Sequence, residues 1–119
     1  MKQFLLVLFA FTFSITAFGQ NREYYIKQAE NYQRDAAYYT KQAESHQRDA
    51  NYYSKQAEGH LRDAEYYTKR KDFDKAKIRQ RWAKEAMDKA AIRQRWVKGA
   101  SEKAATRMRW AREALSKAK

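Results

Sequence analysis

The chain has 119 residues, 26 of them Lys or Arg against 14 Asp or Glu, with no Cys and no Pro. The missing cysteines exclude disulfide staples and thiol nucleophiles. Beyond residue 20 there are two Leu, three Ile, one Val and one Phe, which excludes a globular core of ordinary type.

The first 19 residues stand apart. Lys2 precedes an apolar run from Phe4 to Phe18, and Ala17-Phe18-Gly19 puts small residues at the two positions a signal peptidase reads. The run is about 15 residues, short of the ~20 that span a bilayer. We read residues 1–19 as a cleaved secretory signal peptide, with a membrane anchor as the rival, and expect the mature chain to be secreted or periplasmic.

Residues 20–69 repeat every 14 residues, or two heptads. Tyr pairs recur at Tyr24/Tyr25, Tyr38/Tyr39, Tyr52/Tyr53 and Tyr66/Tyr67, and KQAE recurs from Lys27, Lys41 and Lys55. A strict heptad multiple presents one helix face at constant angle. With Ala29 at position a, that position is Ala29, Ala36, Ala43, Ala50, Ala57 and Ala64. Position d is Tyr25, Tyr32, Tyr39, His46, Tyr53, His60 and Tyr67. Alanine at every a lets a second helix approach closely, and Tyr or His at d fills the space beside it. Tyr24, Tyr38, Tyr52 and Tyr66 fall on the outer flank. Glu30–Arg34, Glu44–Arg48 and Glu58–Arg62 have the spacing and order of stabilising i,i+4 pairs. This half is neutral, with eight cations against eight acids.

Residues 70–75 fit neither repeat, and the next repeat starts 12 residues after Tyr66 instead of 14. Two explanations compete. One is a helix–helix turn capped by Asp72 or Asp74; the other is a continuous rod with a skipped register.

Residues 76–119 carry a second 14-residue repeat, opening at Ile78, Ile92 and Thr106. Their small-residue seam is Ala76, Ala83, Ala90, Val97, Ala104, Ala111 and Ala118. Residues 70–119 hold 17 Lys or Arg and six Asp or Glu, a net +11 that accounts for nearly all the basic character. Arg-x-Arg-Trp occurs as Arg79, Arg81, Trp82, then Arg93, Arg95, Trp96, then Arg107, Arg109, Trp110. Arginine binds phosphate or carboxylate bidentately, and tryptophan favours boundaries between apolar and wet surroundings. These nine residues are candidates for an anion-binding ladder. The competing reading makes Trp a gap filler between helices and leaves Arg solvated.

No Gly-rich phosphate loop or metal-ligand spacing occurs, and repetition argues against a unique catalytic constellation. We expect no enzyme activity, no cofactor, no metal and no small-molecule substrate. His46 and His60 read as seam residues interchangeable with Tyr. They lie about 21 Å apart on a straight helix, too far to share a metal within one chain.

The sequence predicts an all-α protein of long amphipathic helices, folded as an antiparallel hairpin or coiled-coil bundle, with one continuous helix as the alternative. It predicts a secreted structural protein that self-associates into a bundle or filament. The expected seam comprises the alanines and d residues from Ala29 to Tyr67, with Ala83, Ala90, Val97, Ala104 and Ala111. The alternative is an envelope- or polyanion-binding protein whose basic half meets an anionic glycan, lipopolysaccharide or membrane surface. Export makes nucleic acid a poorer fit.

Overall fold

The computed structural model describes residues 20–119. The expected signal peptide, residues 1–19, lies outside the described residues. The chain forms two long helices, α1 (Gln20–Lys69) and α2 (Phe73–Lys117). Ala, Lys, Arg, Gln and Glu dominate both and favour helix, and no Pro interrupts either one. Neither helix is long and apolar enough to cross a membrane.

The break between the helices is shorter than the sequence suggested, because Phe73, Asp74 and Lys75 already form the first turn of α2. Lys71 has φ 63°, the left-handed conformation that usually selects glycine. The Lys71 amide donates to the Thr68 carbonyl (2.9 Å) and the Asp72 amide to the Tyr67 carbonyl (2.9 Å). These two bonds are the Schellman pair that ends a helix. Asp72 then starts α2: its carbonyl accepts from the Ala76 amide (3.1 Å), and its carboxylate from the Lys75 amide (3.4 Å). It is thus the N-cap, and Asp74 adds an acid in the first turn. Nothing in the composition of 70–72 advertises a corner, since a lysine does the work of glycine.

The described residues fall into two compact units, one joining residues 20–44 with 98–119 and the other comprising 45–97. In each, a stretch of α1 lies antiparallel to a stretch of α2. The second unit is a hairpin closed by the turn at Lys71.

The core of each unit is the pair of alanine seams. In the first, Ala29, Ala36, Ala43, Ala100, Ala104, Ala111 and Ala114 are buried, with Ile26 beside them. Ala29, Ala111 and Ala114 form one cluster, against which Tyr32 and Leu115 pack. In the second unit Ala50, Ala57, Ala64, Ala76, Ala83, Ala86, Ala90 and Val97 are buried. The seam expected to join copies is therefore filled by the chain's own two helices. The d-position Tyr and His side chains are half-buried at its edge.

The expected pairs Glu30–Arg34, Glu44–Arg48 and Glu58–Arg62 do not close. Arg34 instead donates to the side-chain oxygen of Asn31. The same-helix ion pairs that form among the described residues are Glu65–Lys69, Asp72–Lys75 and Lys84–Asp88, all strongly exposed on at least one side. Long side chains on a wet face lose entropy when held in one geometry, which offsets the small Coulomb gain.

Candidate functional site

The two arginines of each Arg-x-Arg-Trp motif have separate fates. The first points across the helix pair. In the first unit the Arg107 guanidinium donates to Asp35 (3.5 Å), with its carbon 5.0 Å from the Trp110 ring centre and 5.5 Å from that of Tyr39. In the second unit Arg93 donates to Asp49 (2.9 Å), 4.7 Å from Trp96 and 6.0 Å from Tyr53. Arg79 donates to Asp63 (2.9 Å), 4.8 Å from Trp82 and 5.9 Å from Tyr67. Each is a cation held between a carboxylate and two aromatic faces, where ring quadrupoles and the acid both favour positive charge.

Lysines add to the pattern. Lys117 and Lys103 lie 5.8 Å and 5.5 Å from the Tyr25 and Tyr39 ring centres. Lys89 and Lys75 each lie 5.6 Å from those of Tyr53 and Tyr67.

The tryptophans pack edge-on against the d residues of α1. Trp110 meets Tyr32 with ring centres 5.5 Å apart, Trp96 meets His46 at 5.3 Å, and Trp82 meets His60 at 5.5 Å. His46 and His60 thus occupy the role Tyr32 has in the first unit. The Nδ1 of His46 is buried without a hydrogen-bond partner. Among the described residues, no three or more His, Asp or Glu side chains assemble a site for a metal ion.

Lys71 lies midway in sequence between the partners of every one of these ion and edge-on pairs. Asp63 and Arg79, Asp49 and Arg93, Asp35 and Arg107 are equally spaced about it. The 12-residue gap between the repeats sets that register. Sequence reasoning missed Asp35, Asp49 and Asp63. Their signal was legible: they recur every 14 residues one position before a seam alanine, and each faces a seam position of the other helix that holds Arg where its neighbours hold Ala.

The middle arginines, Arg81, Arg95 and Arg109, are exposed and close no ion pair among the described residues. The outer tyrosines form a separate row. Tyr24, Tyr38, Tyr52 and Tyr66 are 56%, 57%, 57% and 54% exposed. Gln28, Gln42 and Gln56 each donate to the hydroxyl of the Tyr four residues earlier at 2.9 Å. Where no Gln follows Tyr66, Arg70 lies over its ring at 5.3 Å.

The chain matches no protein-family model, no curated protein and no solved structure.

Proposed function

We propose that this is a secreted, non-enzymatic structural protein that self-associates into a coiled-coil bundle or filament. One observation carries the reading. Among the described residues the buried side chains are alanines plus Ile26 and Val97, while twelve large hydrophobic side chains are 36–60% exposed. Fully covering a large apolar side chain contributes roughly 1.5–3 kcal/mol, so each half-exposed one leaves about 0.7–1.5 kcal/mol to be gained when a second copy covers it. Several such contacts, with matched charges at their rim, offset the roughly 4–15 kcal/mol that association costs in lost freedom. The seams being occupied within the chain, copies meet through other faces.

The test is molar mass by light scattering on the full chain, expressed with its leader, at low and high salt. A defined oligomer or polymer supports the reading, and a monomer at every salt and concentration refutes it. N-terminal sequencing of the exported product checks the address, with Gln20 expected as the first residue.

A second reading is favoured by Arg81, Arg95 and Arg109, which remain exposed and without carboxylates while Arg79, Arg93 and Arg107 are neutralised. It makes the outer side of α2 a surface for anionic glycan, lipopolysaccharide or membrane. Heparin and anionic vesicles are the probes. Binding should weaken with salt and be largely lost when Arg81, Arg95 and Arg109 are all changed to Gln. Binding that survives the triple change overturns this reading.

A further inference from the structure

In each unit the Asp–Arg pairs, the tryptophans and the outer tyrosines occupy one side of the helix pair, at positions c, d and g. The opposite side is formed by positions e and b, counting heptads from Ala29 in α1 and Ala76 in α2. Position e holds no charged residue in either helix: it is Ile26, Gln33, Thr40, Gln47, Ser54, Leu61 and Thr68 in α1, and Phe73, Gln80, Met87, Gln94, Ser101, Met108 and Leu115 in α2.

Two charged rails flank this uncharged strip. Position b of α1 is acidic and position b of α2 is basic, and their residues lie level with one another about the turn. In the first unit Glu23 is level with Lys119, Glu30 with Arg112 and Glu44 with Lys98, and the uncharged Ala37 is level with the uncharged Ala105. In the second, Glu58 is level with Lys84 and Glu65 with Lys77, and Asn51 is level with Ala91. Every charged level pairs opposite signs, and every neutral level is neutral in both rails.

These pairs do not close within the chain, because the strip separates the rails. Glu65 and Lys84 make exposed bonds to Lys69 and Asp88 on their own helices, and the other eight charged rail residues close no ion pair among the described residues. All ten are exposed. Complementary charge in register, unpaired across the strip within the chain, fits a partner that carries the same rails inverted.

We propose that a second copy of this chain docks on the e/b side, each unit meeting its counterpart about a two-fold axis parallel to that unit's helices, which lays each acidic rail on the basic rail of the other copy. This rests on the self-association reading and names one face for it, the nine other exposed apolar side chains lying on the opposite side. A two-fold perpendicular to the helices would instead set acid on acid and base on base, and like charges directly opposite are repulsive. Slipping the copies by one heptad either way leaves one charge match in each unit, against three and two in register. The uncharged strip, with Leu61, Phe73 and Met87 exposed, becomes the centre and the rails its polar rim.

Two full-chain variants test it. Variant A carries Glu30→Lys, Glu44→Lys and Glu58→Lys; variant B carries Lys84→Glu, Lys98→Glu and Arg112→Glu. Each alone places like charges across the two-fold and should weaken its own association about tenfold or more at low salt. Mixed in equal amounts they should form an A·B heterodimer with wild-type affinity, since both rail contacts are then complementary. Native mass spectrometry and light scattering read the outcome. Rescue on mixing supports the docking mode. If wild type associates but A and B associate equally well and mix without preference, or if mixing rescues nothing, the rail pairing is overturned while self-association stands. If wild type never associates, both fall.

Discussion

Ala50→Leu is the sharpest test of the close seam. Ala50 is 0% exposed, as is Ala83 in the same unit. Three added carbons would gain about 2.4 kcal/mol if room existed to bury them. None exists beside a side chain that is fully covered at the size of a methyl group, so the helices must part locally. Parting strains the neighbouring Asp49–Arg93 bond, now 2.9 Å, and uncovers adjoining alanines. Overpacking of this kind costs about 1–3 kcal/mol net. At a protein concentration below association, Ala91→Leu, which adds the same carbons at an exposed position of the e/b side, should stay within about 0.5 kcal/mol of wild type. The assay is urea unfolding followed by far-ultraviolet circular dichroism, at one protein concentration because association shifts the midpoint. With a slope of about 1–3 kcal/mol per molar, the midpoint of Ala50→Leu should fall by roughly 1 M. A midpoint at or above that of wild type would refute close packing at this seam.

Lys71→Gly removes left-handed strain of about 1–2 kcal/mol and adds a glycine entropy cost of about 0.5–1, so it should stabilise by roughly 0.5–1 kcal/mol; a lower melting temperature counts against the αL cap. Changing Asp35, Asp49 and Asp63 together to Asn removes three half-exposed pairs, each contributing about 0.2–1 kcal/mol. The loss should show in melts at low salt and shrink at high salt; equal losses at both would mean the carboxylates act through packing. His46→Phe keeps an aromatic edge against Trp96 and removes the partnerless buried Nδ1, so it should be neutral or stabilising by about 1 kcal/mol in urea. A clear destabilisation would show that the nitrogen is hydrogen-bonded in solution.

Much of the fold was legible because the alanine seam is a period, and period is what a helix converts into a face. Ala29 to Ala64 and Ala83 to Ala111 all end buried. The register skip between the repeats favours the turn over the rod, but the position of the turn was not legible, because Lys71 adopts a conformation its side chain does not advertise. The arginines illustrate a different limit. Arg79 and Arg81 are two residues apart in one motif, yet one lies in a seam and the other faces water. Only the phase of α2 against α1 separates them, and that phase depends on where the turn falls. The same-helix Glu–Arg pairs failed for a related reason: spacing permits a pair, but on an exposed face solvent competes with it. The d-position histidines take the same edge-on place against tryptophan that Tyr32 takes, since such a contact accepts either ring.

The equal spacing of cross-helix partners about Lys71 bears on how such a chain can change length over generations. A 14-residue block duplicated in one helix leaves every later clamp facing an equivalent clamp one repeat away, because block and period are the same length. The only loss is an unpartnered end. Copy-number errors that would wreck most folds are here absorbed as overhang, and a second duplication in the other helix restores the match. Repeat number can therefore drift by whole blocks in either helix, so long as the turn and its cap are kept.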